Sequence, residues 1–286
     1  MRLTTIGCSG SMSGPGSAAS TYLVQADDEA GRTWNVLLDL GPGGHGALME
    51  HVDPRELDAL FVSHLHPDHM ADIVSLQVYL RYHPDGESGP LAVWGPEKTT
   101  ERIAAVCWIG DWSQLDGQFA VQEHAPGRTV QVGPMRIEAR RVRHPVPAFA
   151  FRIEGPSETP GEVARIAYTG DTDSCPAVAA LADGVDLLLA EASFQEGRED
   201  HVRGIHLTGR RAGELAAPAP GPEWDDAAMP DDPATPDDPA TPRRPVGRLV
   251  LTHLPPWTDP DVVLAEARSQ FGGPIDVATP GDVWTV

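Results

Sequence analysis

Ser63-His64-Leu65-His66-Pro67-Asp68-His69 puts three histidines and a carboxylate into six consecutive positions, directly after the apolar run Leu60-Phe61-Val62. Imidazole and carboxylate together suit zinc or another borderline divalent metal, and a strand ending in a loop gives such ligands a rigid base. Alternation along an extended chain points His64 and His66 the same way. Asp68 and His69 fall where the chain turns helical at Met70, so they can face a second point a few ångströms away. Two adjacent metals fit this stretch better than one.

Outward from the heptapeptide the same arrangement recurs: an ionisable residue closes an apolar strand. The run Trp34–Leu40 carries Asp39 beside Gly41-Pro42-Gly43-Gly44, and His144 follows a strand predicted over Met135–Val142. Ile166-Ala167-Tyr168-Thr169 runs into Gly170-Asp171, Val185–Ala190 into Glu191, and Leu249–Thr252 into His253. One such residue is ordinary, but six positions facing one edge call for a site there. Further strands are predicted at Arg2–Ile6, Ser20–Gln25, Leu91–Trp94, Gln118–Glu123, Thr129–Val132 and Ala148–Glu154. Helices are predicted at Met70–Tyr82, Glu97–Val106, from His206 to about Ala217, and after the Asp259-Pro260 start signal. The pattern is βα-rich with two sheets. Gly7–Gly16 lacks the Gly-Lys-Ser/Thr ending of a phosphate-binding loop and reads as a flexible rim loop. Trp108 and Trp112 are expected to pack in the core, with stacking on a base as the second reading.

The chain has 286 residues, 41% of them hydrophobic, and is read as a single domain over 1–286. One stretch stands apart. Residues 218–245 repeat Asp-Asp-Pro-Ala-Thr-Pro in tandem at 231–242 and are too rich in Pro, Ala and Asp to order themselves, so a disordered insert is expected. The net charge is −21, from 21 basic and 42 acidic residues, and the acidity extends beyond the insert. Polyanion binding normally leaves a basic footprint, so a large nucleic acid is a poor first guess. A small anion held through metals is compatible with such a surface. Three scattered cysteines, Cys8, Cys107 and Cys175, suggest reduced thiols rather than a disulfide framework. With no signal-peptide pattern and no membrane-length apolar run, a cytoplasmic protein without membrane contact is expected.

The heptapeptide, with Asp39 upstream and His144, Asp171 and His253 downstream, resembles the full motif set of the metallo-β-lactamase superfamily. Glu191-Ala192-Ser193-Phe194 and His206-Leu207-Thr208 resemble its ribonuclease Z-like branch. The resemblance covers nearly the whole chain outside 218–245. It implies an α/β fold, an αββα sandwich of two mixed sheets packed face to face with helices outside. It further implies two divalent metal ions, zinc first and manganese or iron as alternatives. His64, His66 and His144 would bind one, Asp68, His69 and His253 the other, and Asp171 would bridge. Asp39 would accept from a ligating imidazole and fix its tautomer, and His206 with Glu191 would form an extra catalytic pair. His66, where glutamate would otherwise stand, argues against the di-iron electron-transfer members. A homodimer is implied as well.

Ribonuclease Z grips transfer RNA with an arm inserted, in the bacterial form, between the positions of His144 and Asp171. Here only 26 residues separate those two, and they read as strand, turn and strand. Gly7-Cys8-Ser9-Gly10-Ser11 and Leu251-Thr252-His253-Leu254-Pro255-Pro256-Trp257 are instead similar to small bacterial members of the branch that hydrolyse cyclic AMP. The function this implies is hydrolysis of 3′,5′-cyclic AMP to 5′-AMP by a metal-bridging hydroxide. Asp68 would orient that hydroxide, and His206, polarised by Glu191, would stabilise phosphate charge or protonate the leaving group. Trp257 is a candidate for the substrate pocket. The alternatives are transfer-RNA 3′ processing and lactone or thioester hydrolysis, which leaves the Glu191–His206 pair unexplained. A metal-binding scaffold without turnover is the non-enzymatic reading.

Overall fold

Apolar runs such as Leu187-Leu188-Leu189-Ala190 have no polar face, which requires strands covered on both sides. The computed structural model, which describes residues 1–125, 127–198, 203–218 and 243–286, shows them so. The first sheet holds β1 (Arg2–Ser9), β2 (Ala18–Ala19), β3 (Thr21–Asp27), β4 (Thr33–Leu38), β5 (Ala59–Phe61), β6 (Leu91–Gly95) and β7 (Phe119–Glu123). The second holds β8 (Thr129–Val132), β9 (Met135–Val142), β10 (Ala148–Pro156), β11 (Val163–Tyr168), β12 (Leu187–Glu191), β13 (Arg248–Thr252) and β14 (Ile275–Val277). Finally β15 (Val283–Thr285) returns to the first sheet. The orders are β15-β1-β3-β4-β5-β6-β7, with β2 on β1, and β14-β13-β12-β11-β10-β9-β8.

Successive residues sort into different layers. Val36, Leu38, Phe61, Ile166, Tyr168, Leu187, Leu189 and Val250 point between the sheets. There Tyr22 and Tyr168 lie 5.1 Å apart, and Phe61 meets Phe151 edge-on at 5.7 Å. Their neighbours Leu37 and Leu60 face α1 (Gly44–Leu48), α3 (Ile73–Tyr82) and α4 (Thr99–Val106), and α2 (Pro67–Met70) adds Met70 to that layer. Leu188, Leu249 and Leu251 face α5 (Pro176–Ala182), α6 (Gly209–Ala216) and α7 (Pro260–Arg268). This is the expected αββα sandwich. Removing one large central side chain, Phe61→Ala for instance, costs about 3–5 kcal/mol by the usual cavity penalty. Among the described residues no helix is long and apolar enough to cross a membrane.

Strands β4 to β7 run parallel, as do β11 to β14, and β9 shares the direction of β11 through the antiparallel β10. Asp39, the heptapeptide, His144, Asp171, Glu191 and His253 therefore all follow carboxyl ends of like-directed strands, where ligand sites of open α/β sheets form.

Several expectations are corrected. The helix read over 70–82 is broken, because the Asp72 amide donates to Leu40 O at 3.2 Å and Asp72 caps α3 as a new start. Gly7–Ser9 is strand rather than rim loop, since β1 continues past its pairing with β3 and bridges to Leu254. Trp108 and Trp112 are not core residues. Trp108 has φ 57° and is 94% exposed, Trp112 is 48% exposed, and Ile109 supplies the inward contact instead. The region 218–245, expected to be disordered, lies mostly outside the described residues. At its edges Arg243 donates to Leu215 O at 3.0 Å and Arg244 pairs with Asp183 at 3.0 Å.

Candidate metal centre

Two of the strand-end residues sit in left-handed backbone: Asp39 at φ 58° and His253 at φ 58°. Such geometry in a non-glycine residue costs about 1–3 kcal/mol and persists where surroundings enforce it. For Asp39 the enforcement is visible. Its buried carboxylate accepts from Ser63 N at 2.6 Å, Ser63 Oγ at 2.7 Å, Tyr168 OH at 2.7 Å and His69 Nδ1 at 2.7 Å. His253 is held by the end of β1, where Leu254 N donates to Cys8 O at 3.2 Å. Gly10 permits that approach, because a Cβ there would lie 2.2 Å from His253 O.

His64, His66 and His144 converge. His66 Nδ1 lies 2.9 Å from His64 Nε2 and 3.2 Å from His144 Nε2. Their other partners set two of the tautomers. His144 Nδ1 donates to Ile205 O at 2.9 Å, which leaves Nε2 a lone pair. Ser63 Oγ gives its proton to Asp39 and so accepts from His64 Nδ1 at 3.1 Å, which again leaves Nε2 bare. Burial, with the charge of His69, holds His64 well below its usual range, and burial with His144 lowers His66. Neutral imidazoles with lone pairs aimed at one point fit a cation, not a proton.

Asp68, His69, Asp171 and His253 form the second cluster. Asp171 Oδ1 is 3.2 Å from His69 Nε2, its Oδ2 is 3.3 Å from His253 Nε2, and Asp68 Oδ2 is 3.6 Å from both imidazoles. Asp39 takes the Nδ1 proton of His69, and Ser20 Oγ lies 2.7 Å from His253 Nδ1. The atoms left over, His69 Nε2, His253 Nε2 and Asp171 Oδ1, are buried without hydrogen-bond partners. Buried polar atoms are nearly always satisfied, so three orphans facing one another mark the place of a divalent ion. Asp171 also reaches to 3.7 Å from His64 Nε2 and so touches both clusters. Burial opposes its charge, yet His253, His69 and His64 hold its carboxyl well below the ordinary carboxylate range.

His206 stands above this carboxylate, its Nδ1 3.0 Å from Glu191 Oε1 and 3.8 Å from Asp171 Oδ2. Burial would lower its pKa, but Glu191 and Asp171 overcome that and raise it to about 9. Glu191 is oriented in turn by Thr172 N at 2.6 Å and Ser193 Oγ at 2.7 Å. All seven expected ligands, with Asp39, Glu191 and His206, thus meet at one edge. Trp257 lies exposed on the loop after β13. Not foreseen were Ser20, Ser63 and Tyr168, or the buried pair Arg211–Asp173 at 2.7 Å. Asp173 also accepts from Gly204 N at 2.6 Å and so fixes the chain two residues before His206. Two of these carry a signal in the sequence: Asp173, two residues past Asp171, and Ser63, which opens the heptapeptide although its residue type alone implies no role there.

Comparison with known proteins points the same way. The model of the β-lactamase superfamily domain matches residues 34–223. An uncharacterised protein of Mycobacterium leprae is 35% identical over 100% of this chain and 89% of its own length. The probable metallo-hydrolase YhfI of Bacillus subtilis is 27% identical over 99% of both chains. The crystal structure of YhfI, described as a metallo-β-lactamase fold protein, superposes with a TM-score of 0.76 at 26% identity, covering 100% of this chain and 99% of that one. Ribonuclease Z of an Exiguobacterium species is 29% identical over 64% of this chain and 74% of its own.

Proposed function

The chain belongs to the β-lactamase superfamily, and on that premise we propose that this metallo-hydrolase is a phosphodiesterase for a small cyclic nucleotide, 3′,5′-cyclic AMP before others. The observation that carries this reading is the Glu191–His206 pair held over Asp171. With Nδ1 anchored by Glu191, the proton His206 can transfer is the one on Nε2. A phosphodiester needs such a donor, because its alkoxide leaving group must be protonated while charge builds on the phosphate oxygens.

His64, His66 and His144 would hold one divalent ion, Asp68, His69 and His253 a second, with Asp171 shared. Bound there, zinc, manganese or iron supplies Lewis-acid stabilisation of the phosphoryl group and acidifies water. Asp68 orients the attacking water by accepting its hydrogen bond and takes its proton as the new P–O bond forms. His206 gives its proton to the leaving 3′-oxygen, and Glu191 keeps that imidazole charged until the transfer. The burial of His64, His69, Asp171 and His253 keeps bulk water from competing for these contacts.

Two features favour a small substrate. The residues between His144 and Asp171 are spent on β10 and β11, paired from Phe151–Tyr168 to Pro156–Val163, so an RNA-gripping arm has no length of chain there. The net charge of −21 disfavours a polyanion. Transfer-RNA processing is the second reading, favoured by the likeness to ribonuclease Z. Incubation of the Mn²⁺- or Zn²⁺-loaded protein with 3′,5′- and 2′,3′-cyclic AMP and with a precursor transfer RNA separates the two. Release of 5′-AMP is expected; cleavage of the RNA alone would replace this reading with the second.

A further inference from the structure

Beside the three-histidine cluster a groove of about 470 Å³ opens between α4 and the loops that carry His66 and His144. Its walls are Leu65, Pro96, Val146 and Pro147, with His66 itself at the inner end. A phosphodiester with its phosphorus at the metal centre therefore has an open direction next to His66 for a substituent. The volume falls in the range of small-molecule sites, about 300–1,000 Å³.

The outer rim is built differently. Glu97, Lys98, Glu101 and Arg102 line it from the start of α4. Among the described residues none of these four side chains is engaged in an ion pair or a side-chain hydrogen bond, although two are acids and two are bases. Lys98 moreover holds a left-handed backbone, φ 68°, at the helix start. Apolar walls with unspent acceptors and donors at the rim suit a flat ring with amine donors and ring-nitrogen acceptors on its edge. The three tryptophans that could have stacked on such a ring, Trp108, Trp112 and Trp257, are not in this lining.

We propose that this groove receives the purine base of the substrate, the apolar walls covering the ring, Glu97 and Glu101 accepting from its amine, and Lys98 and Arg102 donating to its ring nitrogens. The assignment rests on the phosphodiesterase reading for its kinetics, but binding of the base alone does not. Ala105, exposed on α4 at the groove's edge, offers a clean obstruction: Ala105→Trp fills the space without touching the core. In the metal-loaded protein, Ala105→Trp is expected to lower kcat/KM for 3′,5′-cyclic AMP about tenfold or more, mostly through KM. Turnover of a base-free ribose 3′,5′-cyclic phosphate, which leaves the groove empty, should stay within about twofold of the parent. Equal losses on both substrates, or none on cyclic AMP, would overturn the proposal. Glu101→Gln should reproduce the selective loss more mildly. Titration calorimetry of adenosine, which has no phosphodiester to cleave, into the metal-loaded protein tests the groove apart from the reaction. Binding that disappears in Ala105→Trp supports it even if cyclic AMP proves not to be hydrolysed, and no binding by the parent overturns it.

Discussion

Three imidazoles meet at His64, His66 and His144 with only the edge of Asp171 reaching them, whereas Asp68 and Asp171 both stand with His69 and His253 a few ångströms away. A dication held by neutral rings and one shared carboxylate would keep more of its charge for the substrate; one held by two carboxylates would be largely neutralised and bound more firmly. Access differs in the same sense. His66, which lines the groove, and His144 are half-buried, while His69, Asp171 and His253 are buried. Weak charge compensation and an open side suit a place where substrate oxygens bind. Strong compensation and burial suit a place that organises the pocket.

Asp171→Ala tests the contrast most severely, since its carboxylate reaches imidazoles of both clusters. It should abolish turnover and release metal from both places, measured by metal analysis after dialysis; retention of either ion would break the comparison. Next is His206→Ala, expected to lower turnover of cyclic AMP about 10²–10⁴-fold with metal content unchanged. The loss should be far smaller for a p-nitrophenyl ester, whose leaving group needs no proton. Asp39→Asn acts more on one side than on the other. Its oxygen accepts from His69 directly and reaches His64 only through Ser63 Oγ, so metal affinity should fall about 10–100-fold at the carboxylate-rich cluster and by less at the other. Titration with a chromophoric chelator would resolve the two.

The smallest effect concerns the floor under the three-histidine loop. There His124 donates to Val62 O at 2.9 Å and packs 4.8 Å from Phe149. Burial pushes its pKa down to about 4 from an ordinary 6.5. Below pH 6.5 the unfolded chain takes up a proton that the folded one refuses, so stability is lost between about pH 6.5 and pH 4. The loss should be about 1–3 kcal/mol, allowing for partial exposure, and denaturant melts should show it flattened in His124→Gln.

Legibility followed chemistry and failed where only packing decides. The β8–β9 hairpin was readable because Thr129–Val132 and Met135–Val142 flank Gly133-Pro134 with clear alternation. Helix α5 left no amphipathic trace, because Ala177, Val178, Ala179, Leu181 and Ala182 are all buried and the segment has no polar face. The break at Asp72 depends on a backbone bond to Leu40 that local sequence cannot announce. In the site, histidines and carboxylates at strand ends declared themselves by residue type. Ser20, Ser63, Tyr168 and Arg211 are common residues whose importance arises only from what lies opposite them. Trp108 misled for the converse reason, a large apolar ring that a left-handed turn directs into solvent.

The close seat of Gly10 against His253 reaches beyond geometry. A chain still emerging during synthesis possesses the heptapeptide early, yet the carboxylate-rich pocket lacks a wall until position 253 has arrived and docked on the end of β1. Ion capture at that pocket should therefore require the chain at least as far as position 253, seated against the end of β1.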